Sequence, residues 1–398
     1  MHISKKVQSI KSSPTLNINA RVKLLEQNKI NVINFAIGEP DFDTPINIKE
    51  AAISAINNGF TKYCPVDGTL EIKNAIIDKL KKDYSTTYTT EEIIVSNGAK
   101  HSLYNLLQAI INDNDEVIIP APYWVSYIDM VILSGGVPKL IQTNDKKKFK
   151  ITPKDIENIL TTKTKAIIIN SPANPTGVVY YPEELKAIAN ICIKNNIFII
   201  SDDIYEKLTY DNVKFASIVN VAPKVKNLSV IINGVSKAYA MTGWRIGYAA
   251  GPKNIISAMS KVQSQSTSNA SSISIKAAVE ALNGPQKYTE FMKKEFEKRR
   301  NYISEKLNKI NGIKCGVPEG AFYIFPSIKT FFGKFFDGKI INNDIDFANY
   351  LLDVAKIAVV PGSVFGVKEG YVRFSYATSM RNIKLGMEKL KKALKNLK

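Results

Sequence analysis

This 398-residue sequence predicts a layered α/β domain followed by a smaller α+β domain. Three observations lead there. Short Ile/Val-rich runs alternate with amphipathic helical patterns from about residue 50 to 285. Those runs mostly lack polar/apolar alternation, as expected of strands buried on both faces in a parallel sheet covered by helices. After GPQ (284–286) the pattern changes to a long charged helix and then to scattered short strands, which reads as a separate α+β unit.

The opening stretch, MHISKKVQSIKSSP, is basic but has no apolar core like that of a signal peptide,. No apolar run approaches the ~18 residues of a membrane span, so no membrane is expected and a cytoplasmic location follows. The strand candidates are EEIIVSNG (91–98), DEVIIPAP (115–122), KAIIINSP (165–172), IFIISDD (197–203), LSVIIN (228–233) and RIGYAA (245–250). Between them lie helical patterns such as PEELKAIANICIKNN (182–196), where Leu185, Ile188, Ala189 and Cys192 share one face,. Beyond residue 286 come a helix over 287–310, AFYIFPSI (321–328), a helix near 346–355, strands in KIAVVPG (356–362) and YVRFSYA (371–377), and a closing Lys-rich helix. The predicted division is 46–285 for the large domain and 286–398 for the small one, with 1–45 packing against the latter.

Composition excludes several chemistries. Three cysteines, Cys64, Cys192 and Cys315, are too few and too scattered for a disulfide framework or a metal cluster,. With only His2 and His101, a histidine triad or zinc site has almost no material, and no metal is expected,. The net charge of +18 raises nucleic-acid binding,. However, six of the 54 basic residues are arginine and the lysines are dispersed, without zinc-finger or RRM-like spacing,. A solvated basic surface is expected, and no nucleic-acid partner.

Polar residues gather where strands end: SNGAKHS, APYW, NSPANPTG and SDDIY follow four of the candidate strands directly. Ligands of open parallel sheets bind outside those carboxyl ends. Each residue also has a plainer reading. SNGAKHS is an anion-binding helix N-terminus or an ordinary capped helix. Asp202 is a buried carboxylate facing a cation or a helix N-cap, and Tyr205 beside it is a functional or a core tyrosine. Asn174 lies in a Pro/Gly-rich turn where Asn is commonly structural, and Trp124 offers a stacking face or core packing. Arg373, inside an apolar strand, needs a bidentate carboxylate or an internal salt bridge. Lys237 in NGVSKAYAMTGWRIG (233–247) sits in small and apolar company. Lost hydration there would lower its pKa and make it an amine nucleophile, against the alternative of a surface lysine on a turn.

Taken together, these stretches resemble the class I/II aminotransferases. GVSKAYAMTGWRIG matches the lysine signature of the family, whose fold is fold type I of the pyridoxal 5′-phosphate (PLP) enzymes. GEPDFDTP (38–45), KYCPVDG (62–68), APYWVSY (121–127), NSPANPTG (170–177), SDDIYE (201–206), VVPGSVFG (359–366) and VRFSYATS (372–379) follow in the family's order. Within the family the likeness is to bacterial aspartate aminotransferases that keep a lysine in the phosphate turn. The resemblance implies a mostly parallel seven-stranded sheet between helices in the large domain, PLP as cofactor, and a homodimer with shared sites. The implied activity moves the amino group of L-aspartate to 2-oxoglutarate by a ping-pong Schiff-base mechanism. Prephenate, aromatic amino acids, kynurenine or glutamine are the alternative substrates, and a C–S lyase or a regulator the alternatives outside transamination. Residues 1–45 are too short for the DNA-binding domain that such a regulator carries.

The resemblance also implies roles. Lys237 would link PLP and shuttle the substrate proton. Asp202 would pair with the pyridine nitrogen, Tyr205 and Asn174 would bond the phenolic oxygen, and Trp124 would stack on the ring. The Gly98 and Ala99 amides, Arg245, and Tyr63 from the neighbouring subunit would hold the phosphate. Gly38, Asn174 and Arg373 would clamp the substrate α-carboxylate. Lys100 would take a distal carboxylate, assisted by Ser264 of the other chain, with Ser13 and Thr15 closing over the site. Asp203 departs from the family's usual Glu, and Cys64 has no role to assign.

Overall fold

The computed structural model describes residues 2–10, 14–368 and 370–398, side chains of 14–17 excepted. Seven strands build the main sheet: β1 (Ile93–Ser96), β2 (Glu116–Ala121), β3 (Val137–Gln142), β4 (Thr164–Asn170), β5 (Phe198–Asp202), β6 (Ser229–Gly234) and β7 (Gly247–Ala250). Their order is β1-β7-β6-β5-β4-β2-β3, and β7 alone runs against its neighbours. The sheet is therefore mostly parallel, as the resemblance to fold type I implies.

The unbroken apolar runs have a direct cause. Successive side chains of a strand point to opposite faces, and both faces of this sheet are covered. Ile167, Ile169, Ile199 and Ile231 enter one core with Ile72, Ile76 and Leu80 of the helix Leu70–Tyr84. Ala166, Ile168, Ile200 and Ile232 enter the other with Leu103, Leu106 and Leu107 of the helix Ala99–Ile110. Fully burying such a side chain contributes about 1.5–3 kcal/mol. Strand β3, VPKLIQ, escaped the sequence reading because it lies at the sheet edge and is only partly buried. It carries Pro138 and Lys139, which a half-covered edge tolerates.

The C-terminal part has its own core, with Phe296, Phe322, Tyr323, Phe347, Val372, Phe374 and Leu390. Its three-stranded antiparallel sheet joins Val360–Pro361, Val372–Ser375 and Tyr323–Ile324. The helices Lys287–Asn308 and Met380–Lys395 pack against one another. Near the N-terminus, Ile33–Asn34 pairs in parallel with Ile357–Ala358, and the Ser375 N–H donates to the Phe35 carbonyl at 2.7 Å. Among the described residues no helix is long and apolar enough to cross a membrane.

Candidate active site

From Ser96, where β1 ends, the chain turns through Asn97 and Gly98 into the helix Ala99–Ile110. Gly98 has φ +89°, in the left-handed region, and a Cβ there would fall inside the Arg245 guanidinium,. A Cβ on Gly247 would likewise collide with the Ala99 amide. Two glycines thus let the helix start close against β7 and the arginine close against the turn. Arg245 is braced there: Nη1 donates to the Thr242 carbonyl at 3.0 Å and Nη2 to the Asn97 carbonyl at 3.2 Å. The first N–H groups of a helix have no intrahelical acceptor. Beside an arginine they make a seat for an anion.

Strand β5 delivers Asp202 to the middle of the sheet's carboxyl edge. The Tyr127 hydroxyl donates to its Oδ2 at 2.5 Å and the Ile204 N–H to its Oδ1 at 3.3 Å. Burial nonetheless pushes the carboxyl up to about 6, the mark of an acid enclosed with no cation in contact among the described residues. Strand β6 leads to Lys237, whose Nζ donates to the Gly38 carbonyl at 2.6 Å. Lys237 keeps a partly open surface because it faces a cavity, yet protein atoms enclose it. Desolvation therefore brings its amine down to about 8, against the opposing field of Glu39.

A second cation stands at the other end. Arg373 is buried; its Nη1 donates to Asn174 Oδ1 at 3.0 Å and Nη2 to the Ala36 carbonyl at 2.7 Å. Its guanidinium centre lies 4.5 Å from the Tyr323 ring centroid and 5.0 Å from that of Phe365. Its Nε has no hydrogen-bond partner among the described residues. Asn174 is held by its own N–H, which donates to Asn170 Oδ1 at 2.9 Å, while Asn170 Nδ2 donates to the Asp202 carbonyl at 2.9 Å. Tyr205 and Tyr323 hydroxyls meet at 2.8 Å.

All of this converges on one cavity of about 510 Å³, into which Gly38, Ala99, Lys100, Trp124, Asn174 and Asp202 project together with Tyr205, Lys237, Arg245 and Arg373. Lys100 Nζ lies 4.8 Å from the Trp124 ring centroid, and burial, then the field of Arg245, lowers its pKa. Gly98, which precedes Ala99, does not itself line the cavity. Tyr63, 91% exposed, and Ser264, whose Oγ donates to the Lys261 carbonyl at 2.7 Å, do not line this chain's cavity. Ser13 and the Thr15 side chain lie outside the described residues.

Eleven cavity residues went unassigned from the sequence, among them Tyr127, Asn170, Ser236 and Tyr323. Tyr127 sits three residues after Trp124, Asn170 ends a strand as Asp202 does, and Ser236 precedes Lys237, so their positions carried a signal. Tyr323, inside AFYIF, carried none.

The family model for class I and II aminotransferases matches residues 30–390. The chain belongs to this family. Among its relatives, the probable aspartate/prephenate aminotransferase of Rickettsia bellii is 50% identical over 99% of both chains. The aspartate aminotransferase of Bacillus subtilis is 47% identical over 98% of both. The crystal structure of the Rhizobium meliloti aspartate aminotransferase superposes with a TM-score of 0.97 at 42% identity, covering all of both chains. That of Thermus thermophilus with maleate gives 0.93 at 38%, covering 99% of this chain and all of the other.

This aminotransferase uses PLP, and the residues present fit it. The coenzyme has an anionic phosphate, a pyridine nitrogen that becomes cationic when protonated, and an aldehyde. Facing one cavity are an anion seat at the helix start with Arg245, an enclosed carboxyl of raised pKa, and an amine of lowered pKa.

Proposed function

We propose that this chain is a cytoplasmic homodimeric aminotransferase that moves the amino group of L-aspartate to 2-oxoglutarate, yielding oxaloacetate and L-glutamate in two half-reactions. The observation that carries the reading is a pair of cations, Arg373 and Lys100, facing one cavity. A dicarboxylic amino acid needs two such charges. PLP, when bound, supplies the sink for the electrons released at the substrate Cα.

The chain's own residues would do the rest. Arg373 takes the α-carboxylate in a planar fork, with Asn174 orienting that fork and Gly38 close by. Lys100 draws the distal carboxylate toward Trp124, and the partner subunit's Ser264 assists. Lys237 would hold the coenzyme and take the proton from the substrate Cα; an amine brought down to about 8 is suited to a base near neutral pH,. Asp202, fixed by Tyr127, holds the ring nitrogen protonated. Tyr205 and Asn174 would bond the phenolic oxygen, and Trp124 would pack against the ring. The Gly98 and Ala99 amides and Arg245 hold the phosphate, joined by the partner subunit's Tyr63. Exposed Ile46, Ile53, Ile56 and Leu70 flank Tyr63 in sequence and support a second copy docking there,. Residues 46–285 would form the coenzyme domain and 286–398, with 1–45, the unit beside it.

The reading is tested by kcat/KM for aspartate, glutamate, alanine and phenylalanine as donors under one set of conditions. Efficient oxaloacetate formation supports it, whereas negligible oxaloacetate beside good turnover of an aromatic donor contradicts it. A second reading, prephenate as amino acceptor, draws support from the Rickettsia bellii relative, a probable aspartate/prephenate aminotransferase. Prephenate also carries two carboxylates, so the same cations suit it. A high kcat/KM for prephenate with aspartate as donor would establish that use.

A further inference from the structure

Tyr323 is buried, lines the cavity from the C-terminal sheet, and places its hydroxyl 2.8 Å from that of Tyr205. We propose that Tyr323 is a positioning residue that donates its proton to the Tyr205 oxygen and so turns the Tyr205 proton toward the coenzyme's phenolic oxygen. The inference rests on the Tyr205 role proposed above.

Two observations carry it beyond that role. A hydroxyl has one proton to give. Tyr205 can donate to the coenzyme only if the bond between the two hydroxyls runs from Tyr323 to Tyr205. Space for this arrangement is built in. Residue 38 is glycine, and a Cβ there would stand 2.5 Å from the Tyr323 hydroxyl oxygen. The ring is also clamped. Arg373 lies over its face at 4.5 Å, and edge-on contact with Tyr205 puts the ring centroids 5.7 Å apart. A cation against the ring makes the phenol a better donor; the Arg373 field opposes burial at both phenols, but its guanidinium lies over the Tyr323 ring. The Tyr376 hydroxyl donates to the Ala321 carbonyl at 3.2 Å. Lys237 is bonded to the Gly38 carbonyl. Neither replaces the Tyr205 contact. Tyr323 thereby joins the arginine proposed to take the substrate carboxylate to the group proposed to tune the coenzyme.

The consequence is spectroscopic. A donor at the phenolic oxygen withdraws negative charge and loosens that oxygen's hold on the proton at the Lys237 nitrogen. Polarisation by the preceding bond strengthens the donor by roughly 10–30%. Tyr323→Phe keeps the ring and should raise the pH midpoint of the holoenzyme's visible absorption change by a few tenths of a unit. Tyr205→Phe should raise it more, and adding Tyr323→Phe to Tyr205→Phe should add nothing. An unmoved midpoint in Tyr323→Phe, or a shift that persists in the double variant, overturns the relay. No shift in Tyr205→Phe means instead that the Tyr205 role itself is wrong. If Tyr323→Phe does not fold, 3,5-difluorotyrosine at position 323 serves. Its more acidic hydroxyl should lower the midpoint, and no lowering overturns the relay.

Discussion

Replacing Arg373 with lysine keeps the charge and removes the fork. In the structure one terminal nitrogen of Arg373 donates to Asn174 and the other to the Ala36 carbonyl. Its Nε has no partner among the described residues, and its guanidinium centre lies 4.5 Å from the Tyr323 ring centroid and 5.0 Å from that of Phe365. A lysine ammonium has three donors on a flexible stem and cannot present two parallel N–H groups to a carboxylate. The loss expected is one charge-assisted hydrogen bond, about 1.5–3 kcal/mol. Since about 1.36 kcal/mol is tenfold in rate, kcat/KM should fall roughly 10- to 150-fold. Every amino donor carries an α-carboxylate, so the loss should be similar for aspartate, glutamate and alanine. Steady-state kcat/KM for the three donors, with folding checked by thermal melting, measures it. A loss below about threefold, or one confined to dicarboxylic donors, would refute the assignment of Arg373 to the α-carboxylate.

Lys100→Ala should do the reverse, reducing kcat/KM for aspartate and glutamate by on the order of tenfold or more while sparing alanine. Equal losses for alanine and aspartate would remove Lys100 from the distal carboxylate. Asp203 is buried, and burial outweighs its bond from Ser201, with Glu206 and Asp202 adding repulsion, so its carboxyl is raised to about 7. Between its ordinary value and 7 the folded state binds a proton that the unfolded chain releases, so this group's contribution to stability falls as pH rises through that window. In the holoenzyme Asp203→Asn should flatten the decline in Tm from pH 5 to pH 7.5; an unchanged slope contradicts it.

What the sequence made legible follows from what burial writes into it. Strands covered on both faces must be apolar throughout, so β1, β2 and β4 to β6 announce themselves as Ile/Val runs and β7, GYAA, as an unbroken run of small and aromatic residues. β3, half covered at the edge, keeps Pro138, Lys139 and Gln142 and does not. Site residues are legible when they break a local pattern. Lys237 among small residues, Arg373 in an apolar strand and Asp202 at a strand end are examples, and the structure brings all three to one cavity. Tyr127 and Tyr323 break no pattern, because a tyrosine in apolar company is ordinary. Their importance lies in what their hydroxyls touch, Asp202 in one case and Tyr205 in the other. Those contacts join residues 75 and 118 positions apart, a separation that no local pattern encodes.

The claim on which everything turns is that the Lys237 amine bonds the coenzyme covalently. Borohydride reduction of the holoenzyme, followed by peptide mapping by mass spectrometry, tests it most directly. The account predicts one reduced phosphopyridoxyl group per chain, on Lys237, and none in Lys237→Ala. A reduced adduct on another lysine, or a coenzyme-loaded enzyme that turns over repeatedly with alanine at position 237, would contradict it.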